Sequence, residues 1–339
     1  MNSYERVLAA LECRPIDCLA FMPITMMFAA DQFGVTYGEY VKDYRLLVES
    51  QLLTASRFDI DYVSCISDPA REVTDCGGAV IFFENQPPAV DESNAFLLDK
   101  SRLKSMRFPD PYKNGSRMRD RILAAELFTK KIKGERFIEG WVEGPCAEAA
   151  DLRGISNLMT DFFDDPDFVR ELFVFTTGLA LLFAKAQIDA GCEIIGVGDA
   201  AASLVGPAIY KSFVFPFEKQ LIDGIHSAGG RVRLHICGNI KRSLTEIGKL
   251  DADMVDIDSM VPIEKARNEM GEYQVLAGNI DTVKVVRNGT PELIKSMLAD
   301  CLNQVSKNYI VGAGCEIPRD TPVENLLAMR DFAKNNRYK

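Results

Sequence analysis

The sequence predicts an α/β fold, a (β/α)8 TIM barrel forming a single domain over residues 1–339. Three observations carry that expectation. Short β-branched or apolar runs alternate with polar turns and stretches of helical spacing, the pattern of a parallel sheet wrapped in helices. Eight such runs occur, and eight units close a barrel where six would suggest an open doubly wound sheet. The length of 339 residues is ordinary for a barrel with insertions, and no repeat at a solenoid period competes with the pattern.

The first two predicted strands are the apolar runs 19–24 and 62–67. The stretch that follows is too long for one crossover. Within it, segment 77–88 runs from Gly77-Gly78 through Val80-Ile81-Phe82-Phe83 to Pro87-Pro88. That reads as a hairpin arm with a Pro-bearing loop, an insertion between strands two and three that folds over one mouth of the barrel. The third strand is 137–142 and the fourth 193–199. Between them lies the clearest helix, 168–190, with apolar residues recurring at three and four. The remaining strands are 232–237, 254–259, 273–279 and 309–315. No linker is rich enough in Pro, Gly or Ser to mark a domain boundary.

Composition excludes several functions. The formal net charge is −10 and no basic run occurs, which argues against phosphate neutralisation and nucleic-acid binding. No stretch reaches the ~20 apolar residues of a membrane span. The N-terminal residues lack a signal-peptide layout. Nine cysteines, an odd number in a large acidic chain, argue for reduced thiols and a cytoplasmic protein.

Barrel active sites lie at the C-terminal ends of the strands. The fifth strand ends Leu234-His235-Ile236-Cys237-Gly238-Asn239, and residues two apart on a strand share a face. The eighth ends Val311-Gly312-Ala313-Gly314-Cys315-Glu316. These strands are not adjacent, but side chains entering one mouth can meet at its centre. Imidazole with two thiolates is a zinc donor set, and three protein ligands leave a fourth position open. Cysteine is otherwise a small core residue, and His-x-Cys alone is weak evidence. Ligation is favoured by the strand ends, by Gly238, Gly312 and Gly314, and by the scarcity of histidine: the only other, His226, falls in a helical stretch.

The sixth strand alternates carboxylates with apolar residues. Asp256 and Asp258 share a face and Asp258 is nearer the mouth, so Asp258 is either a metal ligand or the cap of the turn at Ser259-Met260. Asp199, Asn279 and Asp281 at other strand ends either orient a substrate or cap loops and helices.

At these residues the chain resembles the uroporphyrinogen decarboxylase superfamily. It is most similar to the zinc methyltransferases that work with corrinoid proteins, including methylcobalamin:coenzyme M methyltransferases. The likeness covers nearly the whole chain, from Arg6-Val7-Leu8-Ala9-Ala10-Leu11-Glu12 through Trp141-Val142-Glu143-Gly144-Pro145 to Gly312-Ala313-Gly314-Cys315-Glu316-Ile317-Pro318. The His235…Cys237…Cys315 motif marks the methyltransferase branch, whereas the fold signature is shared with the decarboxylases. The sixth strand also resembles cobalamin-independent methionine synthases, in which the matching acid binds zinc; that likeness points at Asp258.

The resemblance implies a zinc enzyme that moves a methyl group between a corrinoid protein and a small acceptor, with the acceptor held at zinc as thiolate. No cobalamin-binding segment is recognisable, so the corrinoid would arrive on a partner protein. The reverse direction, from a methylated donor to the corrinoid, fits the same ligands, as does a non-catalytic barrel that binds zinc or docks the corrinoid protein. The rival activity is porphyrinogen decarboxylation. Against it, the loop Thr25-Met26-Met27-Phe28-Ala29-Ala30-Asp31 is apolar and acidic, with no Lys or Arg between Arg14 and Lys42 to meet the substrate's carboxylates. Met26, Met27 and Phe28 are a pocket wall or core.

Overall fold

A computed structural model describes residues 1–338. Its strands, in chain order, are β1 (Tyr62–Ser64), β2 (Val80–Ile81), β3 (Ala89–Val90), β4 (Phe137–Glu143), β5 (Ile194–Gly198), β6 (Arg231–His235), β7 (Met254–Ile257), β8 (Val275–Ile280) and β9 (Tyr309–Ala313). Seven of them form one parallel sheet in the order β1-β4-β5-β6-β7-β8-β9. β2 and β3 make a separate antiparallel hairpin. This is the insertion expected between the second and third predicted strands. Within its connecting loop, Asn85 O accepts from Arg319 Nη1, of the loop after β9, at 2.8 Å, which ties the arm to the rim of the C-terminal mouth.

The first predicted strand departs furthest from expectation, and the strands predicted to end at 237 and 315 stop at His235 and Ala313. Residues 19–24 make a single parallel bridge, Phe21 to Val311, rather than a regular strand. Their backbone donors are spent elsewhere: Phe21 N donates to Asp61 Oδ2 at 2.8 Å, Leu19 N bonds the C-terminal segment, and Pro23 has no N–H to give. The segment still closes the ring. Met22 N reaches Val311 O at 2.9 Å on the β9 side, and Asp61 N reaches Phe21 O at 2.9 Å on the β1 side.

Side chains alternate along the strands and separate two environments. Val63, Ile138, Val142, Ile195, Val197, Val232, Leu234 and Val255 are buried in the apolar core under the helices. The helix Pro166–Asp189 is part of that cover. It starts on Asp165, whose side chain accepts from Phe168 N at 3.3 Å, with Pro166 in the first turn, and it buries Phe168, Leu172, Thr176, Leu179 and Phe183 at three- and four-residue spacing. The opposite set on the strands is polar: Glu139, Arg233, His235 and Asp256 meet inside the ring.

Candidate metal centre

Arg233 is the centre of the barrel interior. Its Nε lies 2.9 Å from Asp256 Oδ2, its Nη1 3.2 Å from Glu139 Oε1, and its Nη2 donates to Met22 O at 3.3 Å. Its guanidinium carbon also stands 5.4 Å from the Tyr62 ring centroid. One cation thus joins β4, β6, β7 and the closing segment. Burial opposes the Asp256 charge, but Arg233 and His235 hold the carboxyl below its ordinary range.

Register places the next group. His235 pairs with Asp256 across β6 and β7, and its Nδ1 lies 2.8 Å from Asp256 Oδ2. A carboxylate there fixes the ring orientation and leaves Nε2 for another partner. Nε2 lies 2.8 Å from Cys237 Sγ and 3.7 Å from Cys315 Sγ, and the two sulfurs are 3.4 Å apart. Cys237 and Cys315 sit two residues past the ends of β6 and β9, in the mouth loops rather than on the strands expected for them. The turn after Cys237 needs a left-handed residue, and Gly238 supplies it at φ +95°.

The three donor atoms lie within 4.8 Å of one another, and the group is a possible metal site. Two sulfurs and an imidazole nitrogen are the soft and borderline donors that zinc takes. In the metal-free state the cluster holds charge by itself. Burial works against a charged His235, but Asp256 and then Cys315 push it up to about 10. The hydrogen bond from Cys237 lowers the Cys315 thiol to about 4, with burial opposing and His235 assisting. Cys237, the donor of that bond, is pushed up. The pair therefore carries a thiolate poised for a cation.

Beside the cluster opens a pocket of ≈ 170 Å³. Ile24, Met26, Ile66, Pro69 and Trp141 form its apolar wall, and Asp68, Glu143 and Glu316 its polar one. Met26 is thus the pocket wall that the sequence allowed, while Phe28 is core. Burial, with Cys315 adding to it, pushes the Glu316 carboxyl up to about 7 against the hydrogen bond from Met27 N.

The other residues expected at the site are occupied elsewhere. Asp258 is not among the three clustered ligands: Oδ2 accepts from Gly238 N at 3.0 Å and Oδ1 from Met260 N at 2.9 Å. It caps the turn and braces the loop behind Cys237, because backbone donors already satisfy both oxygens. Asp199 is wholly buried and accepts from Ala147 N at 2.7 Å and Cys146 N at 3.3 Å, capping the helix Pro145–Arg153. Asn279 Nδ2 donates to Asp258 O at 2.9 Å and Val261 O at 2.7 Å, and so holds the same turn. Asp281 Oδ1 accepts from Val283 N and Lys284 N at the head of the helical segment Thr282–Arg287. None of these four lines the pocket.

Sequence reasoning missed Arg233, Glu139, Trp141 and Glu143 as functional groups. The period-two patterns Glu139-x-Trp141-x-Glu143 and Arg233-x-His235 were the available signal, since charges alternating on a buried barrel strand must face a partner inside.

The geometry defines a barrel with a His/Cys/Cys cluster at its C-terminal mouth. The uroporphyrinogen decarboxylase (URO-D) family matches residues 2–336, so the chain belongs to that family. Among its relatives is the methylcobamide:CoM methyltransferase MtbA of Methanosarcina mazei, 26% identical over 341 residues, with 98% of each chain covered. Uroporphyrinogen decarboxylase 2 of Oryza sativa is 24% identical, covering 89% of this chain and 82% of that one. In structure, a methyltransferase from Methanosarcina mazei superposes with a TM-score of 0.90 over 99% of both chains at 20% identity. A B12-independent methionine synthase from Shewanella superposes at 0.60, covering 94% and 96% at 12% identity. Both likenesses speak to the fold.

Proposed function

We propose that the chain is a zinc-dependent methyltransferase that passes a methyl group from a corrinoid protein to a small thiol. The observation that carries this reading is the convergence of His235 Nε2, Cys237 Sγ and Cys315 Sγ at the pocket, in a chain whose relatives include methylcobamide:CoM methyltransferases. His235, Cys237 and Cys315 would hold the metal. When bound, zinc supplies the positive charge that keeps a substrate thiol ionised at neutral pH.

The chain's own groups do the rest. Asp256, held by Arg233, keeps Nε2 of His235 aimed at the cluster. Asp258 fixes the loop that carries the Cys237 sulfur, and Asn279 holds the turn that positions Asp258. Ile24, Met26, Ile66 and Trp141 keep water from the reacting sulfur. In the overall exchange the thiol loses its proton and gains the methyl group, becoming a thioether, and the corrinoid leaves reduced.

Purified protein is expected to hold about one zinc per chain and to methylate a thiol from free methylcobalamin. Cys237→Ala and Cys315→Ala should each lose zinc and activity while circular dichroism stays unchanged, since a core of this size needs no metal staple. Full zinc content in both variants would rule out the assignment. Zinc without transfer to any thiol would leave a binding protein.

A further inference from the structure

We infer that the pocket beside the His235–Cys237–Cys315 cluster is built for a thiol that also carries a positive charge, a small aminothiol, and against a thiol that carries an anion. The inference rests on the thiol-acceptor reading above and specifies the acceptor's charge.

The pocket wall decides this. Three carboxylates line it, from Asp68, Glu143 and Glu316, and no Lys or Arg does. The nearby arginines stand behind acids. Arg117 clamps Asp68 with two bonds of 2.7 Å. Arg71 Nη2 lies 3.1 Å from Glu143 Oε1 and 3.5 Å from Glu72 Oε2. Arg319 is spent on Asp31 at 2.9 Å. Away from the metal centre, a sulfonate or carboxylate in this space would face carboxylates with no Lys or Arg on the wall to meet it.

A cation finds partners there. Glu143 is 7% exposed and lines the pocket, and among the described residues no donor reaches its Oε2. Behind it, Arg71 is the single guanidinium among Glu72, Glu143, Glu148 and Asp151. Among the described residues, both oxygens of Glu148 and Asp151 Oδ2 are buried with no hydrogen-bond partner, and Glu72 Oε2 has only the 3.5 Å approach of Arg71. Burial and mutual repulsion push Glu143 and Glu148 upward, so this group gains from a positive charge brought beside it. Trp141 adds an aromatic wall of the kind that attracts an ammonium. The volume of ≈ 170 Å³ suits a thiol of two or three carbons.

Three thiols with the same two-carbon spacing test the charge alone: cysteamine, 2-mercaptoethanol and 2-mercaptoethanesulfonate. Trp141 is the only tryptophan and lines the pocket, so its fluorescence reports occupancy of the zinc-loaded full chain. Cysteamine should bind at least about tenfold more tightly than the sulfonate, with the neutral thiol between, and the gap should shrink with added salt. In Glu143→Gln, cysteamine and 2-mercaptoethanol should come within about twofold of each other. Should that variant fail to fold, the salt dependence in the unaltered protein still decides. Equal or reversed order, in binding and in kcat/KM with methylcobalamin, would overturn the charge inference and leave the thiol reading standing. Absence of both binding and methylation for all three thiols would overturn both.

Discussion

Arg233, Asp256 and His235 form a chain in which each group fixes the next, and that chain gives the site a pH signature. His235 is raised in the folded protein, from 6.5 to about 10, so its contribution to stability is complete below pH 6.5 and is lost as pH rises through about 10. Cys315 is depressed, from 9.0 to about 4, so its contribution is complete above pH 9.0 and is lost as pH falls through about 4. Between pH 6.5 and 9.0 the folded pair holds one proton, on His235, and the unfolded pair also holds one, on the thiol, so the slope cancels. For metal-free protein, the unfolding free energy of wild type minus that of the His235→Gln/Cys237→Ala/Cys315→Ala variant should rise from about pH 4 to 6.5, level off, and fall above 9. Urea titrations in chelator measure it. A difference that stays flat from pH 4 to 6.5 would remove the imidazolium–thiolate pairing.

At the scale of elements, the pocket depends on the strand beside it being bare. A Cβ on Gly196 of β5 would lie 2.1 Å from the Trp141 ring. Gly196→Ala should therefore expel the indole from its place, at a cost of about 1–3 kcal/mol in stability, with a red-shifted Trp141 emission. Unchanged emission and stability would show that the indole has room to spare. Cap residues make a contrasting case. Asp281 heads the segment Thr282–Arg287 and lies off the pocket. Asp281→Ala should cost about 1 kcal/mol in urea unfolding and leave the KM for thiol unchanged. A large rise in KM with unaltered stability would return Asp281 to the substrate.

For the whole molecule, membership of the URO-D family leaves decarboxylation as the rival activity. The pocket of ≈ 170 Å³ is small for a tetrapyrrole, and its polar wall is acidic. Uroporphyrinogen should therefore not be turned over, and formation of coproporphyrinogen at enzymatic rates would reverse the assignment. Among the described residues no helix is long and apolar enough to cross a membrane.

The sequence alone determined the alternation of strands and helices, the hairpin insertion and the choice of His235, Cys237 and Cys315 as a group that the fold brings together. Each of these rests on a local signal: period-two and three-to-four spacing, turn residues, and soft donors beside glycines. Whether 19–24 is a strand depended on where its N–H groups go, and that required Asp61 and Val311 to be in place. Asp256 and Asp258 look alike in sequence, two residues apart and both near a strand end. The structure separates them: register sets Asp256 against His235, while two backbone N–H groups claim Asp258. Asp199, Asn279 and Asp281 divide from the pocket for the same reason, since a polar side chain at a strand end bonds whichever donor the neighbouring loop presents. Only closure of the barrel brings Glu139, Trp141 and Glu143 to face Arg233, His235 and the pocket, because that proximity spans strands far apart in the chain.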